Sequence, residues 1–436
     1  MAKLAERMLY DQLESFVESN KLHANYQSAY RRYNSCETAM VWEMNEIQQS
    51  LYNKKYVALI MLDSSSAFDT VDHLILLDKL KKNFSIGSSS LQLIKSYLQH
   101  RQFSVKINQE NSKMRSLHYG VPQGSILGPL MYILYTKEIE YIAKAHDLKV
   151  MTYADDIQLF TDFQADEVEY TKQKILDCLN EIKRWMNSNF LKLNATKTQL
   201  KLFKPNKTSL PFLLNFDGET LDHVNEINLL GVKIANDLDF KPFINKKVKT
   251  CNFKLRNLWH IRDTLTHKTR VTLVTSTIIS NLDYCNSLLI CCSGKYIKPL
   301  QLTLNRAVRF ICGINSFTHI TPYLKKLHFL PIFYRIEFKS CLLCFKIFHE
   351  LAPQYLQDDF KKFRHSTTTA LRTETRYVRD EFMFENQLSS HKRETIYQTM
   401  KKRWNKLPLK IRKIKKEHMD QFKAQLKTYL LIQAFP

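Results

Sequence analysis

The spacing of apolar and polar residues along the chain predicts strands separated by helices. Residues 56–62, YVALIML, form a continuous apolar run of the kind found in a strand covered on both faces, and the run stops at Asp63. Residues 150–160, VMTYADDIQLF, carry β-forming residues on both sides of two acids, which predicts a hairpin with the acids in its turn. Two later segments, 190–194 and 197–203, predict further strands.

Apolar residues at helical spacing fall between these strands. They predict helices over residues 69–82, 126–145 and 166–187. The resulting order, βαββαβ, is that of a split βαβ antiparallel sheet with helices on one face. The predicted fold class is therefore α+β.

The same patterns divide the chain into four segments. Residues 1–55 predict two helices, and residues 56–235 contain the predicted sheet. Residues 236–330 and 331–436 are mostly helical in pattern and basic, and residues 401–416 hold nine basic residues and no acid. We expect a sheet domain followed by one or two helical accessory domains.

Charge points to a polyanionic partner. The chain has 65 Lys and Arg against 42 Asp and Glu, a formal net charge of +23, with 44% hydrophobic residues. That hydrophobic content excludes a wholly disordered chain, and so large a positive excess is most simply explained by a surface that binds nucleic acid. The basic residues that we expect on this surface are Lys246, Lys247, Lys401, Lys402, Arg403 and Arg412.

Cysteine usage and hydropathy indicate an intracellular protein, nuclear or cytoplasmic and not secreted. The nine cysteines are an odd number in a chain too long to need disulfides. The longest apolar stretch, residues 271–292, is interrupted by polar residues, so we expect a buried helix rather than a membrane span. Cys341 and Cys344 form a CxxC without a second pair at zinc-binding spacing, and we expect them in the core.

The few glycines are concentrated in one place. Only 8 occur in 436 residues, yet Gly120, Gly124 and Gly128 all fall within GVPQGSILGPL. Such a cluster indicates a backbone that adopts positive φ or approaches another molecule closely.

Three aspartates, Asp63, Asp155 and Asp156, occupy the ends of predicted neighbouring strands, which lie ~4.8 Å apart in a sheet. Clustered carboxylates raise one another's pKa unless divalent cations neutralise them. Two Mg²⁺ ions there would stabilise an in-line phosphoryl displacement, so the cluster predicts a nucleotidyl transferase or a two-metal nuclease. Because aspartate is common at strand ends and turns for conformational reasons alone, this prediction depends on the three acids together.

Several segments resemble the palm motifs of reverse transcriptases and occur along the chain in the same order as those motifs. The resemblance is closest to LINE-type, non-LTR retrotransposons of the Jockey type. The palm segments are MLDSSSAFDTVDH, GVPQGSILGPL, YADD, FLKLNATKT and NLLGVKI. Three later segments, NLDYCNSLL, LHFLPIFYRI and WNKLPLKIR, resemble the region that follows the polymerase in such elements.

The resemblance implies an RNA-directed DNA polymerase, a nucleotidyltransferase with a right-hand fold. Its implied parts are partial helical fingers (1–55), a palm (56–235), a basic helical thumb (236–330) and a basic helical C-terminal region (331–436). The implied cofactor is two Mg²⁺ ions, with Mn²⁺ as an alternative. The implied partners are an RNA template, a DNA primer or target and dNTPs. The sequence shows no membrane segment and no sign of a protein partner.

Residue by residue, the resemblance implies that Asp63, Asp155 and Asp156 bind the metals and that the carbonyl of Ser64 adds a ligand. Lys197 matches the lysine that protonates the leaving pyrophosphate, whereas a lone lysine on a loop would otherwise be solvated.

The remaining matches concern substrate and primer. Phe68 matches the ring that excludes a 2′-hydroxyl, a role compatible with that of a core aromatic. Gln123 and Gly124 match residues that lie along the incoming nucleotide. Leu230 and Gly231 match the turn that grips the primer strand.

The resemblance also has gaps. The chain begins just downstream of the expected fingers segment with its triphosphate-binding basic residue, and no endonuclease segment precedes it. Arg31 or Arg32 is a candidate to substitute in part for that residue, although a surface pair of arginines is more often just solvated. The leading hypothesis is an N-terminally truncated reverse transcriptase. The alternatives are an inactive nucleic-acid-binding remnant and a maturase of the group II intron type.

Overall fold

The computed structural model describes residues 2–65, 68–205, 210–361, 382 and 394–436. Its helices are, in chain order, α1 (Ala2–Ser19), α2 (Cys36–Tyr52), α3 (His73–Lys82), α4 (Ser88–Leu98), α5 (Gly128–Tyr135), α6 (Glu138–Ala145), α7 (Val168–Ser188), α8 (Lys241–His260), α9 (His267–Val274), α10 (Ser280–Asp283), α11 (Gly294–Cys312), α12 (Thr321–Lys326), α13 (Ile332–Phe348), α14 (Gln354–Lys361), α15 (Ile396–Asn405), α16 (Leu409–Arg412) and α17 (Met419–Ala434).

The strands are mostly short. They are β1 (Tyr56–Leu62), β2 (Ser64–Ser65), β3 (Gln102–Phe103), β4 (Lys106–Ile107), β5 (Glu110–Asn111), β6 (Arg115–Ser116), β7 (Lys149–Tyr153), β8 (Asp156–Phe163), β9 (Lys192–Leu193), β10 (Gln199–Phe203), β11 (Leu214–Phe216), β12 (Glu219–Leu221), β13 (Ile227–Leu229) and β14 (Val232–Ile234). The chain is therefore an α+β protein, as predicted.

The described chain divides into two compact units. The first unit contains residues 1–32 and 54–224, and the second contains residues 33–53 and 225–436. This division differs from the sequence-based segments: α1 and α2, expected together in residues 1–55, belong to different units. The hairpin β13–β14 groups with the later helices, and residues 236–330 and 331–436 share one unit.

The first unit is built on a four-stranded antiparallel sheet in the order β10-β1-β8-β7. The central position of β1, between β8 and β10, agrees with the predicted βαββαβ order. Six of the seven β1 residues are buried, as expected of a strand covered on both faces.

One face of this sheet packs on helices. Ala58, Ile60 and Leu62 of β1 belong to the same apolar core as Leu130 of α5 and Ile175 of α7. The predicted helix over 126–145 is in fact two helices, because α5 ends at Tyr135. The sequence patterns did not reveal α4 or the small hairpins between residues 102 and 116.

The glycine-rich segment is tied to the chain that follows β1. The N–H of Gly120 donates to the carbonyl of Val71 (2.8 Å), and the N–H of Val121 donates to the carbonyl of Phe68 (2.9 Å). Gly120 has φ +85°, and a Cβ at this position would lie 2.7 Å from the carbonyl oxygen of Asp69. Only glycine fits such a close backbone crossing.

The described residues of the second unit are helical apart from the hairpin β13–β14. Helix α13 lies at its centre, in contact with α11, α15 and α17. Phe345 of α13 stacks on Phe422 of α17 with ring centroids 4.1 Å apart, and Trp404 is fully buried. Cys341 and Cys344 are fully buried in α13, as expected of a core pair.

All nine cysteines lie within the described residues and are free thiols. The apolar stretch 271–292 forms α9, a π-helical turn (Thr275–Ile279) and α10 before a 3-10 turn. Across the described residues, no helix has the length and apolarity needed to cross a membrane.

Two glycines of the same loop give a matched test of this backbone crossing. Gly120→Ala should lower the free energy of unfolding by about 3 kcal/mol, because a positive φ and a backbone clash both oppose the methyl group. Gly124→Ala should cost only about 1 kcal/mol, since Gly124 has φ +76° but open space at its Cβ position. Urea denaturation measures both losses, and equal losses would contradict the close crossing.

Candidate active site

Asp63 follows the last residue of the central strand. Leu62 pairs with Ile157 of β8, so Asp63 leaves the sheet beside the start of β8. Its carbonyl accepts a hydrogen bond from the N–H of Asn194 (2.9 Å), which ties it to the segment after β9. The Asp63 side chain is 31% exposed. A carboxylate at the end of a buried strand is therefore presented to solvent from a fixed backbone.

The two neighbouring acids lie at the tip of the β7–β8 hairpin. Tyr153 pairs with Asp156, so Ala154 and Asp155 form the turn and Asp156 is the first residue of β8. Sequence reasoning placed both acids in the turn, and the structure moves Asp156 into the strand. Ala154 adopts φ +57°, a conformation that is costly for alanine and is held by the surrounding chain.

The three carboxylates share one electrostatic environment. Burial raises the pKa of Asp156, and the neighbouring charges of Asp155 and Asp63 raise it further. The charge of Asp155 also helps to raise the pKa of the Tyr30 hydroxyl, after the larger effect of burial. The negative charge of Asp156 is thus destabilised by its two acidic neighbours, which is the expected behaviour of an acid in a cluster without a counter-ion.

Gln27 supports the hairpin turn, and sequence reasoning missed it. Its buried side-chain oxygen accepts hydrogen bonds from the N–H of Ala154 (3.2 Å) and of Ala29 (2.9 Å). The segment around Gln27 also runs along β7, where the N–H of Ser28 donates to the carbonyl of Thr152 (2.9 Å). A buried glutamine in a loop far away in sequence gives no pattern by which this role could be recognised.

Lys197 reaches the acid cluster. It ends the short 3-10 turn Ala195–Lys197 between β9 and β10. Its Nζ lies 3.2 Å from Oδ2 of Asp63, and its side chain is 66% exposed. The contact follows from the chain path, because β9 pairs with β2 directly after Asp63.

Phe68 is half-buried beside the same cluster. Its ring stacks on Tyr132 with centroids 4.4 Å apart and meets the edge of Tyr30 at 6.5 Å. Burial raises the pKa of Tyr132, and the charges of Asp155 and Asp156 add to this. Phe68 therefore packs as a partly buried aromatic against two tyrosines whose pKa values are raised in part by the carboxylate charges.

Gln123 and Gly124 lie in the glycine-rich loop, on the exposed side. The side-chain amide of Gln123 donates to the carboxylate of Asp69 at 3.2 Å and 3.3 Å. Ser125 accepts a hydrogen bond from the N–H of Gly128 (2.8 Å), the first residue of α5. The loop is thus linked to the chain that follows β1 by both backbone and side-chain contacts.

The remaining predicted site residues are Ser64, Leu230, Gly231 and Arg31, and each has its own structural environment. Ser64 is buried and pairs with Leu193. Leu230 and Gly231 belong to the second unit, where they form the turn of β13–β14. Arg31 is occupied within the first unit, with its guanidinium donating to the carbonyl of Ala24 (2.7 Å).

The donor set suits a hard divalent cation. The three aspartates offer only carboxylate oxygens, the ligands that Mg²⁺ prefers, and their mutual repulsion is what such an ion relieves. The carboxylate oxygens of the three aspartates do not all lie within 4.8 Å of one another. Among the described residues, one group of acidic, His or Cys side chains meets that distance, namely Glu14, Glu18 and His23.

Ion pairing accounts for that trio. His23 lies 3.3 Å from Glu14 and 3.6 Å from Glu18, while the guanidinium of Arg31 lies 3.9 Å from Glu18. The two carboxylates of this trio therefore lie beside basic side chains of the first unit.

The structure corrects three of the six predicted nucleic-acid contacts. Lys247, Lys401 and Arg412 are buried, at 4%, 1% and 6% exposure. Lys247 lies on the apolar side of α8 and donates to main-chain carbonyls, as Arg412 does to the carbonyl of Leu407. The Lys401 ammonium lies over the ring of Phe360. Buried cations of this kind cannot contact phosphates.

The other three remain accessible. Lys246 and Lys402 are exposed, and Arg403 is half-buried. Lys402 forms an ion pair with Glu394, and Arg403 lies 3.8 Å from Glu337. Lys246 is therefore the predicted contact whose position in the structure best fits the expected role.

Comparison with known proteins identifies the family. The reverse transcriptase (RNA-dependent DNA polymerase) family matches residues 1–234, more than half of the chain. The chain belongs to this family. Reverse transcriptases generally use divalent metal ions, in agreement with the carboxylate cluster.

Curated relatives confirm the resemblance to Jockey-type elements. The chain is 28% identical over 280 residues to a probable RNA-directed DNA polymerase from transposon BS of Drosophila melanogaster, covering 63% of this chain and 30% of that protein. It is 26% identical over 323 residues to the RNA-directed DNA polymerase from mobile element jockey of Drosophila funebris, covering 72% of this chain and 34% of that protein. The chain thus spans about a third of the length of these relatives.

Two solved telomerase structures show only a distant likeness to this chain. An apo telomerase from Candida tropicalis is 14% identical with a TM-score of 0.43, covering 77% of this chain and 55% of the telomerase. A telomerase from Candida albicans with a fragment of telomeric RNA is 12% identical with a TM-score of 0.40, covering 83% of this chain and 54% of the telomerase.

The repulsion within the cluster predicts a pH-dependent stability in buffer free of divalent cations. Because the pKa of Asp156 is raised above its ordinary 3.8 in the folded chain, its destabilising effect is absent at low pH and appears as the pH rises through the raised value. Asp155→Asn should lower that pKa and stabilise the chain at pH 7 by roughly 0.5 kcal/mol, an effect reduced by solvent screening.

The measurement compares unfolding midpoints at pH 4 and pH 7 for the wild type, Asp155→Asn and a control, Asp78→Asn. Asp78 is an exposed acid on α3 paired with Lys82, so its loss should leave the pH difference unchanged. A pH difference in Asp155→Asn as large as that of the wild type would contradict the proposed repulsion.

Proposed function

We propose that this chain is the polymerase portion of a LINE-type retrotransposon protein and acts as an RNA-directed DNA polymerase. It adds nucleotides from dNTPs to a primer 3′-hydroxyl on an RNA template by two-metal nucleotidyl transfer. The observation that carries this proposal is the set of three electrostatically coupled aspartates with Lys197 in contact with Asp63. Membership of the family supports the same reaction.

In the proposed mechanism, Asp63, Asp155 and Asp156 would hold two Mg²⁺ ions, and the carbonyl of Ser64 would add a ligand. The bound ions would supply charge stabilisation for the attacking and leaving oxygens. Lys197 carries a proton at Nζ and donates it to the leaving pyrophosphate as a general acid. Its placement beside Asp63 supports this role, because the leaving group departs next to the metal ligands.

Loop residues would select and hold the substrate. Phe68 would exclude a ribonucleotide by steric contact with its 2′-hydroxyl, and its stacking on Tyr132 gives the ring a fixed position. Gln123 and Gly124 would lie along the incoming nucleotide, and the hydrogen bonds from Gln123 to Asp69 orient the side chain on the loop.

The remaining regions would handle the template and primer. We assign the sheet unit to a polymerase palm, the turn Leu230–Gly231 to the primer grip and the helices after it to a thumb. The nine free thiols support an intracellular site of action, in the nucleus or the cytoplasm.

Primer extension tests the activity directly. With an RNA template, a DNA primer, dNTPs and Mg²⁺, the wild type should extend the primer, and Asp155→Asn should reduce the rate by on the order of 10³-fold, because it removes a metal ligand. Asp78→Asn is the matched control and should retain full activity. Binding of the same substrate by an inactive wild type would favour the nucleic-acid-binding remnant instead.

The exposed side of α8 is the best-supported phosphate-binding surface. Lys246, Lys249, Phe253 and Arg256 are exposed at spacings of three, four and three residues, so they lie along one side of the helix. The apolar side of the same helix, which includes Phe243, is buried. We name the exposed set the α8 basic face; its regular spacing suits contact with a polyanion backbone.

Replacing Lys246, Lys249 and Arg256 by Gln should weaken binding to the primer–template duplex and make it less salt-dependent. If each contacts one phosphate, the slope of log K against log salt should fall by about 2.7 in magnitude, because each contact releases ~0.9 counterion. Fluorescence anisotropy at several salt concentrations measures this slope.

A triple variant with the same change in charge is the control. Lys82, Lys172 and Lys183 already form ion pairs within the first unit. Their replacement by Gln should change the slope by less than the α8 variant does. Equal changes in slope would show that only net charge matters and would contradict a local phosphate-binding face.

A further inference from the structure

The segment NLDYCNS, residues 281–287, resembles the family but has no part in the chemistry described above. One of its side chains contacts the proposed primer grip. The hydroxyl of Tyr284 donates a hydrogen bond to the carbonyl of Leu230 at 2.5 Å, and both residues lie in the second unit. This contact joins residues that are 54 positions apart in the chain.

The turn that Tyr284 contacts is strained. Leu229 pairs with Val232, which leaves Leu230 and Gly231 as a two-residue hairpin loop. Both have positive φ, +46° and +81°, as a type I′ turn requires. This conformation costs leucine roughly 1–2 kcal/mol, so an external hydrogen bond to its carbonyl helps to hold it.

The Tyr284 ring also packs against the turn. A Cβ built on Gly231 would lie 3.7 Å from the ring, at ordinary contact distance. Tyr284 thus forms a hydrogen bond with Leu230, and its ring lies beside Gly231. Its side chain is suited to set the position of the turn as a whole.

A buried lysine, Lys247, holds the backbone of Tyr284. The ammonium of Lys247 donates to the carbonyls of Asn281 (3.0 Å), Leu282 (3.1 Å) and Tyr284 (2.5 Å), at the end of α10. Carbonyls at a helix end lack partners within the helix, and a lysine satisfies them well. Lys247, which charge alone marked as a nucleic-acid contact, is instead part of the support for Tyr284.

An ion pair holds the same segment. Asp283 accepts hydrogen bonds from Arg335 of α13, including one from Nε to Oδ1 at 2.8 Å. Cys285 then adopts φ +48°, and this turn ends the helical path directly after Tyr284. The contacts of residues 281–284 and the turn at Cys285 therefore fix the backbone that carries the Tyr284 ring.

We propose that Tyr284 is a positioning residue for the primer strand: it holds the Leu230–Gly231 turn, and Lys247 holds Tyr284. This inference rests on the proposed polymerase function and assigns a role to a segment outside the palm motifs. Tyr284 acts through the turn and takes no part in the chemical step, so its loss should weaken use of the primer–template and spare nucleotide binding.

Tyr284→Phe removes only the hydroxyl. Because one hydrogen bond contributes about 0.5–1.5 kcal/mol, the KM for the primer–template should rise roughly two- to twelvefold. The kcat for single-nucleotide addition and the KM for dNTP should stay within about twofold of the wild type. Hydrogen exchange in the peptide covering residues 227–234 should become faster, whereas the melting temperature should change little.

Tyr334→Phe is the matched control. The Tyr334 hydroxyl also donates to a main-chain carbonyl of the second unit, that of Gln433 at 3.0 Å, but its partner belongs to α17 rather than to the turn. This variant should leave the primer–template KM and the exchange of residues 227–234 unchanged. Lys247→Met, if it folds, should act in the same direction as Tyr284→Phe.

The outcomes separate the two proposals. An active wild type with an unchanged primer–template KM in Tyr284→Phe would overturn the positioning role alone. Equal losses in kcat and in both KM values, with a lower melting temperature, would also overturn it, because they indicate general destabilisation. A wild type that cannot extend a primer would overturn the polymerase function and this role together.

Discussion

Repulsion among three carboxylates is the constraint on which the proposed site depends. Burial and the charges of Asp63 and Asp155 disfavour the ionised form of Asp156, so these side chains would separate if the backbone allowed it. The backbone does not, because the pairing of Leu62 with Ile157 and of Tyr153 with Asp156 places all three at one end of the sheet. The buried central strand thus maintains a charge arrangement that favours cation binding.

The sheet and the acid cluster could be predicted because both are encoded locally. A continuous apolar run ending in aspartate, and β-forming residues around two further acids, describe short strands whose neighbours follow from the βαββαβ order. The supports of the cluster could not be predicted in this way. Gln27 reaches the hairpin turn from a loop 127 residues away from Ala154, and neither residue type nor periodicity marks such a contact.

The errors among the basic residues have a different cause. Net charge indicates that a surface binds a polyanion, but it does not say which lysines lie on that surface. Periodicity contained the missing information: Lys247 falls on the same helical stripe as Phe243, Cys251 and Leu255, which are all buried. Because a buried ammonium group without hydrogen-bond partners is costly, a lysine on an apolar stripe needs buried acceptors. Lys247 finds them in three main-chain carbonyls.

The buried lysine Lys247 gives the proposed role of Tyr284 its structural basis. A strained two-residue turn such as Leu230–Gly231 is stable only when its surroundings restrict it. Here the restriction comes from Tyr284, whose backbone is fixed in turn by Lys247 and by the ion pair of Asp283 with Arg335. The positive φ of Leu230 and the burial of Lys247 would each be costly alone. The Tyr284 hydroxyl stabilises the first, and the carbonyls around Tyr284 stabilise the second. In the proposed role, Tyr284 therefore acts on the primer strand only through the Leu230–Gly231 turn, and none of these side chains is proposed to touch the reacting atoms.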